Sequence, residues 1–78
     1  MKTFYIQRVD SSGKISFVYQ ITKSYAYTTD EYPGGIKFDD FKVAKVFCNH
    51  VAKLETNYTF NVVTVETIIT VEEEKEEE

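Results

Sequence analysis

Residues Thr3 to Val9 set apolar Phe4 and Ile6 against Thr3, Tyr5 and Gln7, the period-two pattern of a strand with one buried face. Asp10-Ser11-Ser12-Gly13-Lys14 follows with turn chemistry: an Asp able to bond nearby backbone and a Gly able to take positive φ. The next run places Ile15, Phe17, Tyr19 and Ile21 on one face and Ser16, Val18, Gln20 and Thr22 on the other, so the first two strands read as a hairpin. Thr22-Lys23-Ser24 contains neither Gly nor Pro. Tyr25-Ala26-Tyr27-Thr28 is therefore either a bent continuation of the second strand or a third, short one, and we read it as the latter. Asp30-Glu31-Tyr32-Pro33-Gly34-Gly35 is the clearest break in the pattern and predicts an exposed, mobile loop.

Beyond the loop the period changes to 3.6. From Asp40 to Glu55 the apolar residues Phe41, Ala44, Phe47, Cys48, Val51 and Leu54 recur at spacings of three and four, which puts them on one stripe of a helix. Lys42, Lys45, Asn49 and Lys53 fall opposite, and Val46 lies nearer to them than to the stripe. Asp39 is the expected cap, with Asp40 complementing the helix dipole and Phe38 and Val43 in the staple positions on either side. The final run, Tyr58 to Val71, is rich in β-branched residues and would reach roughly 46 Å if straight, more than twice a typical strand. Its alternation also changes phase: Tyr58, Phe60 and Val62 share one face, whereas Val63, Val65, Ile69 and Val71 share the other. A bulge near Val62-Val63, cover on both sides, or an overhang beyond the domain would each account for it. An overhang would offer an edge for pairing with a partner or with a second copy of the chain as a homodimer.

The order β-β-(β)-α-β predicts an α+β fold: an antiparallel sheet of three to four strands with one helix packed on one face. Residues 1–71 make the expected single domain and 72–78 an acidic, disordered tail. That tail changes the meaning of the charge. The 78 residues carry a formal −4, but 72–78 hold six acids and one base, or −5, which leaves 1–71 with seven acids, eight bases and +1. The folded part is thus expected to be nearly neutral. A single cysteine excludes an internal disulfide, and no apolar run approaches the ~20 residues needed to span a bilayer. The expectation is a soluble intracellular protein with no membrane partner.

Catalytic chemistry finds little support. The one Cys and one His, Cys48 and His50, sit two residues apart on the helix and so point ~200° away from each other. Cys48 falls in the core stripe, where a free thiol acts as a small hydrophobe. No cluster of Cys, His and carboxylates has metal-ligand spacing, and no phosphate-binding glycine motif is present. The chain is expected to be no enzyme and to need no cofactor or metal. Lys42, Lys45 and Lys53 could contact phosphates, yet a body charge of +1 falls short of a dedicated nucleic-acid binder. Six Phe and six Tyr in 78 residues exceed what one small core needs, so part of the tyrosine is expected outside. Tyr25, Tyr27 and Tyr32, bordered by Asp30 and Glu31, combine rigid aromatic area with a polar rim and are the candidate binding residues.

Phe4-Tyr5-Ile6, Tyr25-Ala26-Tyr27-Thr28, Phe38 to Leu54 and Val62-Val63-Thr64-Val65-Glu66 together give an arrangement that resembles the small accessory proteins of phages and prophages of low-GC bacteria. These combine a Tyr/Phe-rich hairpin, one helix, a Val-rich last strand and an acidic tail, and anti-CRISPR inhibitors are among them. The resemblance is one of architecture. It implies a stoichiometric inhibitor of host defence in the bacterial cytoplasm, with a nuclease or nuclease complex as the host partner. A nucleic-acid-binding accessory protein and a self-associating structural protein are the alternatives.

Overall fold

The first strand, β1 (Lys2–Val9), is the axis of the sheet because it is paired on both sides. In the computed structural model, which describes residues 1–68, it is joined by β2 (Ile15–Ile21), β3 (Ala26–Thr29), α1 (Phe41–Leu54) and β4 (Thr59–Glu66). One antiparallel sheet results, in the order β3-β2-β1-β4, with α1 packed against it. The fold is α+β, and the third strand is separate from the second. Residues 72–78, and the stretch from Ile69 to Val71 assigned to the end of the domain, lie outside the described residues. Among those described, no helix is long and apolar enough to cross a membrane.

The turns explain how so short a chain reverses three times. Asp10 Oδ1 accepts from the Ser12 N–H at 2.8 Å, the Ser12 hydroxyl at 2.6 Å and the Lys14 N–H at 2.9 Å, and Gly13 takes φ +90°. These bonds hold the Asp10 carboxyl below the usual aspartate range, the Ser12 hydroxyl contributing most. The β2–β3 reversal has no Gly or Pro. Its place is taken by Thr22, whose hydroxyl accepts the Tyr25 N–H at 3.0 Å while its own N–H bonds the Tyr25 carbonyl at 2.8 Å.

Between β2 and the helix the chain does something the alternation did not foretell. β1 pairs with β2 only at Gln7↔Phe17, Arg8↔Ser16 and Val9↔Ile15. Beyond that point the segment after the loop takes β2's place: Ile36 N–H donates to the Val18 carbonyl at 3.0 Å, and Phe38 exchanges two 2.9 Å bonds with Phe4. Gly35 makes this possible at φ +88°, since a Cβ there would collide with the Val18 carbonyl oxygen. Of the predicted loop, Asp30 to Pro33 are exposed as expected, whereas Gly34 is buried; beyond it, residues 36–38 are wedged into the sheet.

The wedge goes with a bulge, and the bulge lies in β2 rather than in the last strand. Val18 pairs with Thr28 and Gln20 with Tyr27, so Tyr19 is the extra residue. Val18 and Ile21 consequently both serve the helix side, and the strict alternation expected for this strand fails at Tyr19. β4 pairs with β1 in one unbroken register from Val9↔Thr59 to Lys2↔Glu66. Its change of phase is real all the same. Phe60 and Val62 pack into the helix-side core, whereas Val63 lies opposite Tyr5 and Val65 opposite Thr3 on the other face. Both faces of the strand are used, one after the other.

The core under α1 is built from Phe4, Ile6, Val18, Ala26, Phe38, Ala44, Cys48, Val51 and Phe60. The helix is capped by Asp40, not Asp39: Asp40 Oδ1 accepts from Lys42 N–H at 2.7 Å and Val43 N–H at 3.3 Å. The pairing of Phe38 with Phe4 fixes where the chain leaves the sheet, which moves the cap one residue along and leaves Val43 exposed rather than stapled. At the other end Glu55 ties three elements together. Its carboxylate accepts the Ala26 N–H of β3 at 2.8 Å and lies 3.9 Å from Arg8 of β1, whose guanidinium stacks over Tyr58 at 4.1 Å.

Candidate binding surface

The face of the sheet away from the helix is where the tyrosines collect. Strand alternation places Tyr25 and Tyr27 on either side of Ala26, which is sealed in the helix-side core, so both rings point to the other face. Tyr25 and Tyr27 meet edge to face at 4.9 Å between centroids, and Tyr19, on the same face as Phe17, reaches Tyr27 at 6.2 Å. Tyr19, Tyr25 and Tyr27 retain 49%, 48% and 42% exposure, so each offers about half of its surface to a partner. A second string runs through Tyr5, Phe17 and Tyr32, with centroids 6.2 Å and 5.4 Å apart. Here the outcome differs: Phe17 is only 1% exposed, and Tyr32, at 76%, is the lid that covers it.

The five candidate residues thus divide. Tyr25 and Tyr27 act together as a half-exposed pair, while Tyr32 packs over Phe17 and is as much a cover as a contact. Asp30 and Glu31 lie on the loop that follows β3. Asp30 is 3.9 Å from Lys14, both side chains largely in water, a pair worth little in stability. Glu31 is oriented by its own N–H, which bonds the Thr29 hydroxyl at 3.3 Å. Its side chain borders a shallow depression of about 520 Å³ together with Tyr19, Thr28, Thr29 and Gly35. Tyr19 and Gly35 were missing from the sequence-based set. Tyr19 joins the set through its contact with Tyr27 on the next strand, and only the close approach to Val18 gives Gly35 its role.

A separate, more apolar groove of about 450 Å³ lies between the β2–β3 turn and the helix, lined by Ile21, Thr22, Lys23, Val46, Phe47 and His50. Val46, the residue that stood apart from the helix stripe, is its most exposed apolar side chain at 66%. His50 points into this groove while Cys48 is buried on the core side, so the two do not form a reactive pair. Burial pushes the Cys48 thiol up, with Lys45 opposing weakly, and the group stays protonated at neutral pH. Among the described residues, no three His, Cys, Asp or Glu side chains gather as a metal site requires.

Set beside protein-family models, curated proteins and solved structures, the chain matches none. Its own surface carries the functional reading.

Proposed function

We propose that this chain is a non-enzymatic protein-binding module that presents the Tyr19–Tyr25–Tyr27 side of its sheet to a macromolecular partner, and that it serves as a phage-encoded, stoichiometric inhibitor of a bacterial defence nuclease. The observation that carries the binding reading is the group of half-exposed tyrosine rings on a hydrogen-bonded sheet. Rings held by strand geometry lose little freedom on binding, and tyrosine supplies apolar area with a hydroxyl that tolerates water before the partner arrives. The architectural resemblance supports the narrower identification of the partner as a nuclease.

Capture from a bacterial lysate on the immobilised chain, followed by cleavage assays with any nuclease recovered, tests both parts. The expected result is a nuclease retained by the wild type and lost by Tyr25→Ser/Tyr27→Ser, with cleavage inhibited at equimolar chain. Recovery of no nuclease, together with no protection of phage in infected cells, sinks the inhibitor reading. The helix lysines Lys42, Lys45 and Lys53 are all exposed and supply a surface for the competing nucleic-acid reading. Titration of labelled DNA at two salt concentrations separates the two, because phosphate binding weakens steeply with salt.

A further inference from the structure

Resting on the protein-binding reading above, we infer that the depression beside Tyr19 receives a cationic side chain of the partner, arginine before lysine. Its lining is mixed in a way that selects for such a group. Tyr19 gives an aromatic wall, Thr28 and Thr29 are polar residues on the adjoining strand, Glu31 gives a carboxylate, and Gly35 leaves one side without a side chain. Because Gly35 is pressed against the Val18–Tyr19 backbone, this wall is set by the fold and not by a movable side chain.

The charge distribution points the same way. Asp30 already faces Lys14, whereas among the described residues Glu31 has no cation within 4.0 Å. The local field is therefore that of the Glu31 carboxylate, which attracts a cation and repels a phosphate. A purely apolar side chain would leave the carboxylate facing a desolvated surface, at a cost in free energy. A guanidinium satisfies every part of the lining: its plane stacks on a tyrosine ring, and its fork of N–H donors bonds a carboxylate and hydroxyls in fixed directions. An ammonium matches the charge but neither the plane nor the fork.

The probe is a synthetic glycine/serine octapeptide carrying two arginines, compared with its citrulline and lysine counterparts, which remove the charge or the fork. Titrated into the isotope-labelled full chain, the arginine peptide is expected to shift the amide signals of Tyr19, Thr28, Thr29, Glu31 and Gly35. Citrulline should weaken binding by about tenfold or more, lysine by less, and Glu31→Gln should abolish the shifts while leaving the spectrum dispersed. Equal binding of the citrulline peptide, shifts confined to residues 72–78, or no shift at millimolar peptide overturns the inference. Capture of the lysate partner keeps the two readings apart. If Tyr25→Ser/Tyr27→Ser abolishes capture and Glu31→Gln leaves it intact, the binding face stands and the cation site falls; if neither variant matters, both fall.

Discussion

Phenylalanine and tyrosine are equally numerous here, yet the sheet sorts them. Phe4, Phe38 and Phe60 are buried under the helix, with Phe41 and Phe47 at its margins, whereas Tyr5, Tyr19, Tyr25, Tyr27 and Tyr32 lie on the opposite face and only Tyr58, among the six tyrosines, packs against the helix-side core. The helix side is closed by a second layer, so a ring there gains most if it has no polar atom to satisfy. Among the described residues, the other side has only the loop of residues 30–35 laid across part of it. Tyr19, Tyr25, Tyr27 and Tyr32 pack there by their rings and stay well exposed, whereas Tyr5, on the central strand, is buried. Phe17 is the instructive exception: it lies among the tyrosines but under Tyr32, which supplies the cover that the helix supplies elsewhere.

The largest effect is expected where the two faces depend on the same atoms. Gly35→Ala puts a Cβ into the Val18 carbonyl and forces an unfavourable positive φ, so we expect a loss of roughly 3 kcal/mol or more. A chain of this size holds about 3–5 kcal/mol in reserve, and thermal unfolding followed by circular dichroism should show little or no cooperative transition. Next comes the direct contrast. Phe60→Ala should cost about 3–5 kcal/mol in denaturant unfolding, while Tyr27→Ala should cost within about 1 kcal/mol and act on partner capture instead. Comparable losses for the two would abolish the distinction between a packing face and a presenting face.

Glu55→Ala ranks below these. It leaves the Ala26 N–H without its acceptor and the partly buried Arg8 without its anion, for about 2–3 kcal/mol. Because Ala26 lies between Tyr25 and Tyr27, the variant should also raise hydrogen exchange in β3 ahead of β1, which sharpens the comparison by linking the helix end to the tyrosine pair. The smallest effect belongs to the hairpin turn, remote from both faces. The Asp10 carboxylate is favoured by its bonds from Ser12 and Lys14, so its contribution is complete above the ordinary aspartate pKa and fades as pH falls through the lower, folded value. Asp10→Asn should lower stability slightly in the neutral range, leave it unchanged below the folded value, and so flatten the acid limb of the stability curve. A steeper acid limb in the variant would contradict that assignment.

Three strands and the helix were legible in the pattern, because period two and period 3.6 follow from backbone geometry and one buried side, whereas the separateness of β3 was not. Thr3 to Val9, Ile15 to Ile21 and the stripe from Phe41 to Leu54 needed no tertiary information. The candidate surface was legible only in part. The pattern named Tyr25, Tyr27 and Tyr32, but that Tyr19 reaches Tyr27 and that Tyr32 packs over Phe17 depends on contacts between segments distant in sequence. A bulge leaves no composition signal in a strand without Gly, and a lid residue is identified only by what lies beneath it.

The amino-acid order by itself determined a hairpin, a helix and a β-branched last strand, and it placed a neutral body beside a strongly acidic end. Each of those depends on neighbours a few residues apart. Tertiary structure decided the rest: that β1 becomes central with β4 on one side, that Phe38 pairs with Phe4 across 34 positions of sequence, and that the helix cap falls on Asp40 as a result. It also decided which aromatic rings remain on view. These outcomes depend on backbone groups finding partners and rings finding cover from distant segments, and such choices are made only when the whole chain packs together.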